Sequence, residues 1–176
     1  LLNAGFLVMQ PQTGQILALV GGTDHQYFQY DHVKSKRQVG STFKPIVYTK
    51  ALQSGVKPCD YINNRLVTYT QYEDWQPRNS DGKYGGERTL KNALANSINS
   101  VTAFLMKKVA PQEVIKNVRK MGVTSEIPAV PSICLGTPDI SLYEMVGAYG
   151  TFANKGIYTE PIFMTRIEDR NGTILL

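Results

Sequence analysis

In "RQVGSTFKPIVYTKALQ", residues 37–53, a proline stands one residue after a lysine, four after a serine, and ahead of an apolar run with helical spacing. Proline lacks an amide hydrogen and its ring collides with the carbonyl four residues back, so a helix tolerates it only near the start. Pro45 therefore limits where this helix begins. The spacing predicts a helix from about Ser41 to Ser54, with Phe43, Ile46, Val47 and Ala51 on one face and Gly55 as its stop. Ser41 then lies in or beside the first turn, and residues three apart share a helix face, so Ser41 and Lys44 come within reach of each other.

Such a pair has a chemical use. A serine hydroxyl is a weak nucleophile at neutral pH and needs an adjacent base. A lysine serves as that base if burial or a neighbouring positive charge lowers its pKa, and a helix N-terminus favours developing negative charge. The competing account is that Ser41 caps the helix and Lys44 is solvated; on this pair alone that account is ahead. Three S-x-x-K matches occur, Ser41/Lys44, Ser54/Lys57 and Ser80/Lys83, against about 0.6 expected by chance. Ser54 is at a helix end and Lys57 precedes Pro58, while Ser80 and Lys83 bracket the Asp81-Gly82 turn. Helical geometry fixes the relation of Ser41 and Lys44 alone.

Composition narrows the class. With 176 residues, 42% apolar and 19% charged, the chain is globular and long enough to bury a core. The net charge of +5 comes without a basic run or aromatic-interleaved stripe, which argues against nucleic-acid binding. Cys59 and Cys134 form neither a disulfide framework nor a zinc site, and His25 and His32 read as surface residues without ligand-like spacing. No metal or cofactor is expected. No stretch of 18 apolar residues and no signal peptide occur, and the opening on Leu1 suggests a piece of a longer protein whose membrane anchor would lie elsewhere.

Along the chain, Phe6–Gln10 and Gln15–Val20 around "PQTG" predict an antiparallel hairpin with a largely buried face. Thr23–Gln38 reads as loop. Residues 57–87 are irregular, with Tyr61, Tyr69, Tyr72 and Trp75 expected to cover a core. "RTLKNALANSINSVTAFLMKKV" is helical, with Leu90, Ala93, Leu94, Val101, Phe104 and Leu105 at apolar positions. Its Asn96, Ser97, Asn99 and Ser100 mark either a break between two helices or one polar face. A short helix follows over Gln112–Met121, between Pro111 and Gly122. "SLYEMVGAYGTFANKG" predicts a helix with a capping box from Ser141 and Glu144 and a stop at Gly156. The last run turns at Asn171-Gly172, a hairpin signal.

The second polar motif, Ser97-Ile98-Asn99, is the chain's only S-x-N, about fifty residues after Ser41. In this order the two motifs resemble those of the penicilloyl-serine transferase superfamily. The resemblance extends to "VMQPQTGQILALVGG", "RQVGSTFKPIVY", "WQPRN", "TLKNALANSINS", "LGTPDISLYEMVGAYGTFANKGIY" and "RIEDRNGTIL", which look like successive blocks of the transpeptidase domain of class A penicillin-binding proteins.

That resemblance implies an α+β fold, part of the penicillin-binding-protein and serine β-lactamase type, with an antiparallel sheet and a helical subdomain. Residues 1–56 would supply sheet strands and the nucleophile helix, 57–160 the mainly helical part and 161–176 a terminal hairpin. It implies a peptidoglycan D,D-transpeptidase. Ser41 would be the acylated nucleophile and Lys44 its base; Ser97 would relay a proton to the departing D-alanine; Asn99 would bind the donor peptide and help position Lys44. The substrate would be the D-Ala-D-Ala end of a stem peptide, β-lactams would acylate Ser41, and the site would face outward from the bacterial cytoplasmic membrane. A K-[ST]-G motif is absent, so the C-terminal strands are expected to come from further polypeptide in the same or a separate chain, and residues 1–176 alone are expected to be inactive. The rival readings are a D,D-carboxypeptidase or serine β-lactamase, and a non-catalytic β-lactam-binding or scaffolding fragment.

Overall fold

The computed structural model describes residues 3–24, 26–27 and 29–175. The expectation for His25 and the chain-opening Leu1 therefore lie outside the described residues, as does Leu176. The architecture is α+β and divides into two units, one of residues 1–36, 120–125 and 140–176 and the other of residues 37–119 and 126–139. The strands are β1 (Phe6–Met9), β2 (Ile16–Val20), β3 (Lys36–Gln38), β4 (Tyr61–Asn63), β5 (Glu87–Thr89) and β6 (Asp139–Ser141). The helices are α1 (Lys44–Gln53), α2 (Leu90–Ala95), α3 (Asn99–Val109), α4 (Pro111–Lys120) and α5 (Leu142–Ala153).

In the first unit β1 and β2 pair antiparallel, with Phe6 opposite Val20, Leu7 opposite Leu19 and an irregularity after Val8. Gly14 turns the hairpin at φ +77, where a Cβ would collide with the Glu160 carbonyl, so glycine is required there. The expected buried face is not realised. Leu7 is buried, but Leu17 is 64% and Leu19 42% exposed, because α5 packs on β1 and the ladder has two strands. Helix α5 opens with the anticipated capping box: Ser141 Oγ accepts from the Glu144 amide, and Glu144 accepts from the Ser141 amide. The Glu144 carboxylate also accepts from Ser125 N and Oγ, each at 2.7 Å, which ties the segment after α4 to the start of α5. Burial disfavours its charge, yet the Ser125 and Ser141 donors hold the carboxyl down at about 2.

His32 is half-buried rather than a surface residue, its ring edge-on to Tyr30 with centroids 4.8 Å apart. Gly5 allows this, since a Cβ there would lie 2.8 Å from that of His32. The Asn171-Gly172 turn forms, but its strand pairing is a single antiparallel bridge, Glu168 to Ile174. Ile174 and Leu175 are more than half exposed, so no packing extends the ladder.

The second unit is built on α1 and α3, which contact each other directly. The α1 face is as expected: Phe43, Ile46, Val47 and Ala51 are all 0% exposed. They share a core with Leu90, Ala93, Val101, Leu105, Met106, Val114, Val118 and Ile133. Phe104, expected in the apolar stripe, is 46% exposed, and Ala103 and Met106 are buried instead, because the helix restarts at Asn99 and resets the phase. Gly55, at φ +90, closes α1 in a Schellman motif, with Val56 N bonding Ala51 O and Gly55 N bonding Leu52 O. Within residues 57–87 the β4–β5 pair was not anticipated; three-residue strands are too short to show a period. Of the four aromatics expected to cover a core, Tyr69 is buried and Trp75 half-buried, while Tyr61 and Tyr72 are exposed.

Candidate active site

The site lies within the second unit and is built from the N-terminus of α1 outward. The α-helix begins at Lys44, not Ser41. Gly40–Phe43 form a 3-10 turn, in which the Lys44 amide bonds Ser41 O, and Pro45 occupies the first α-helical turn. The missing proline amide explains the offset, since the last bond before it closes over three residues. The turn is fastened from behind: Gly40 N donates to Gly136 O at 2.9 Å and Val39 N to Pro138 O at 3.2 Å. Gly136 has φ +80, and a Cβ on it would come 1.7 Å from the Gly40 carbonyl oxygen. Glycine is required at 136 for Ser41 to stand where it does.

The capping account of Ser41 fails on this geometry. Neither the 3-10 turn nor α1 carries a side-chain cap, the local hydroxyl bond is made by Thr42 to Val39 O at 2.6 Å, and Ser41 is exposed. Nor is Lys44 solvated, being 1% exposed. Its Nζ donates to Ser97 O at 2.6 Å, Ser97 Oγ at 2.8 Å and Asn99 Oδ1 at 2.5 Å. The structure thus gathers Lys44, Ser97 and Asn99 at one point, with Lys44 three residues after Ser41 at the end of the 3-10 turn. Ser54 and Ser80 are exposed as Ser41 is, but Ser54 Oγ bonds its own helix at Lys50 O.

Ser97 owes its position to a helix end. The polar run is a break between α2 and α3: Ile98 N bonds Ala93 O and Ser97 N bonds Leu94 O, a second Schellman closure. Ser97 fills the left-handed position at φ +52, where glycine is usual and a serine costs about 1–2 kcal/mol. This reversal turns both its carbonyl and its hydroxyl onto Lys44.

Asn99 is the first residue of α3, and its Nδ2 donates to Arg78 O at 2.7 Å. The N-cap of α3 is Ile98, which has no acceptor to offer, so the orphan Ser100 amide bonds the Asn79 side-chain Oδ1 at 3.0 Å. Asn79 Nδ2 in turn donates to Asn64 Oδ1 and Lys83 O, both at 2.8 Å, and Ser100 Oγ donates to Asn64 Oδ1 at 2.7 Å. Asn64, Asn79 and Ser100 are all buried. Asn79 closes the block "WQPRN", and Asn64 carries no sequence signal of its role.

Burial strips water from the Lys44 ammonium and lowers its pKa below 10.5, with Cys134 as the opposing influence. Cys134 is fully buried, and burial pushes its thiol up to about 12 against the pull of Lys44. A thiol still protonated at neutral pH exerts no ionic attraction there, so burial decides the direction for Lys44. Both cysteines are free. Among the described residues no cluster of three His, Cys, Asp or Glu side chains gathers as for a metal, and no helix is long and apolar enough to cross a membrane.

The family described as "Penicillin binding protein transpeptidase domain" matches residues 4–174. The chain is 36% identical to penicillin-binding protein 1A of Rickettsia felis, over 98% of its own length and 22% of the relative's. It is also 36% identical to penicillin-binding protein 2D of Bacillus subtilis, over 99% of its own length and 26% of the relative's. It thus spans about a quarter of the curated relatives it matches. Penicillin-binding protein 1A from Haemophilus influenzae superposes with a TM-score of 0.91 at 25% identity, over 99% of this chain and 27% of that one. PonA1 from Mycobacterium tuberculosis, solved in complex with penicillin V, superposes with a TM-score of 0.87 at 26% identity, over 98% of this chain and 49% of that one.

Proposed function

The chain belongs to the penicillin-binding protein transpeptidase family, and we propose from that premise that it carries the acylation centre of a serine D,D-transpeptidase. Ser41 attacks the penultimate D-alanyl carbonyl of a stem peptide, D-alanine leaves, and an amine of a neighbouring stem takes the acyl group from Ser41. Lys44 accepts the Ser41 proton. The observation that carries this reading is the buried Lys44 amine, one helical turn after an exposed serine, with three oxygens of Ser97 and Asn99 around it.

An ammonium has three hydrogens and those three acceptors use them all. A neutral amine has two, which Ser97 O and Asn99 Oδ1 hold. Its lone pair is then left for a proton, taken from Ser41 directly or passed through the Ser97 hydroxyl. Desolvation supports the neutral state. Ser97 is placed to hand that proton on to the leaving amine, and Asn99 keeps the lysine aimed while its amide meets the donor peptide.

In the whole protein this chemistry runs on the outer face of the bacterial cytoplasmic membrane, and β-lactams acylate Ser41 in place of the stem peptide. The exposed Leu17, Leu19 and Val20 of β2 are covered there by further polypeptide of the same domain. Residues 1–176 on their own are inactive in this reading, since a two-stranded ladder is marginal in water.

Intact-mass spectrometry of the full-length protein after β-lactam treatment tests the proposal. Ser41→Ala abolishes the adduct, while Ser54→Ala and Ser80→Ala retain it; an adduct persisting in Ser41→Ala would overturn the assignment. Turnover with an amine acceptor separates a transferase from a carboxypeptidase or a non-catalytic penicillin binder.

A further inference from the structure

Ser97 opens on a second feature. A cavity of about 540 Å³ in the same unit is lined by Ser97 together with Lys83, Arg88, Asn92 and Asn96. Its floor is the buried Asn64–Asn79 pair, whose amides are already engaged with each other, with Lys83 O and with Ser100. The floor is therefore fixed in shape, and recognition falls to the walls. Two of those walls are cationic. Among the described residues neither Lys83 nor Arg88 is ion-paired; the Arg88 guanidinium donates to Glu87 O at 3.0 Å through Nη1. Arg88 comes from β5 and Lys83 from the turn before it, so both charges are set on backbone that β4 pairing and the Asn64 bonds to Gly85 and Gly86 hold in place. The lone carboxylate in the lining, Asp81, accepts from the Lys83 amide.

Resting on the transpeptidase reading, we propose that this cavity is a carboxylate-recognising subsite for the stem peptide. A peptide seated at Ser97 would extend into it and place a carboxylate between Lys83 and Arg88, upstream of its D-Ala-D-Ala end. Both cations present donors suited to a carboxylate, Arg88 in a planar fork. The amide-rich remainder of the walls suits a peptide backbone.

The test uses full-length protein and synthetic stem peptides of two kinds. One keeps its upstream carboxylates free; the other has them amidated; both retain the terminal carboxylate. Each is offered as donor with a fixed acceptor, then as acceptor with a fixed donor, so that the two arms tell which strand occupies the cavity. In the doubly substituted Lys83→Gln, Arg88→Gln protein, the ratio of kcat/KM for the acidic over the amidated peptide falls about tenfold or more in one arm, as loss of a hydrogen bond to a charged group implies. Misfolding lowers both rates and cancels in the ratio. Exchange of charge type, Lys83→Arg with Arg88→Lys, keeps most of the preference. A ratio unchanged by Lys83→Gln, Arg88→Gln in both arms overturns the subsite. Turnover surviving in Ser41→Ala would strike the underlying transpeptidase reading instead, so the two failures are distinguishable.

Discussion

Lys44 Nζ lies 2.5 Å from Asn99 Oδ1 across 55 residues of chain, and the same Asn99 anchors its other amide atom on Arg78 O. Asn99 is thus a bridge between the lysine of α1 and the loop that brackets α3. Substitution there acts on the lysine through charge as well as geometry. Asn99→Asp sets a carboxylate beside the ammonium and raises the Lys44 pKa. The rate of β-lactam acylation in the wild type should rise with pH through a limb centred below 10.5, as the lowered lysine pKa requires. In Asn99→Asp that limb moves to higher pH and acylation at pH 7 falls; a limb that stays put contradicts Lys44 as the base.

Ser97 should separate stability from activity. Its left-handed backbone favours glycine by about 1–2 kcal/mol over any residue with a Cβ. Ser97→Gly and Ser97→Ala both remove the hydroxyl and both lower acyl transfer. Ser97→Gly should nevertheless unfold at a higher denaturant concentration than Ser97→Ala, by roughly 1 kcal/mol. Equal stability of the two would mean that the φ of +52 carries no strain.

Gly136→Ala tests the fastening of the turn that carries Ser41. The new Cβ would overlap the Gly40 carbonyl, so the turn must move. A displacement near 1 Å costs about 100-fold in rate, read as slowed penicillin labelling. Gly55→Ala is the control: its φ is also positive, but nothing lies within 4 Å of the added carbon. It should lower stability by about 1 kcal/mol and leave labelling per folded molecule unaltered.

Asn79→Ala removes the external cap of α3 and one of the two donors to Asn64 Oδ1, leaving that of Ser100. The expected loss is about 1–3 kcal/mol of stability, measured by denaturant titration, with slower acylation because Asn99 begins the uncapped helix. Stability unchanged within error would show that the bracket is dispensable.

Glu144 governs acid sensitivity of the other unit. Its carboxyl is near 2 in the folded chain against 4.5 as the ordinary value. The unfolded chain binds the proton more readily, so the contribution is fully present above about 4.5 and is lost as pH falls toward 2. In Glu144→Gln the thermal midpoint should be lower at neutral pH, and its gap from wild type should narrow over that window.

Much was legible in the sequence because it was local. Pro45 set the start of α1 to within one 3-10 turn, Gly55 set its end, and Ser141 with Glu144 declared a capping box, since each depends on backbone constraints acting over a few residues. Family resemblance likewise rested on consecutive blocks of residues. What the sequence left open was whether Ser41 caps or stands free, whether "NSINS" breaks a helix, and whether Lys44 is solvated. The answers for Ser41 and Lys44 come from contacts across more than fifty residues, and the helix break from a local closure that a polar run does not distinguish from a polar helix face. Gly136 fastens the turn that frees Ser41, α3 packing buries Lys44, and a Schellman closure turns Ser97 toward it. The buried Asn64–Asn79–Ser100 bracket had no sequence period at all, because a polar side chain is kept in a core by the partner it meets there, and only the folded chain brings that partner.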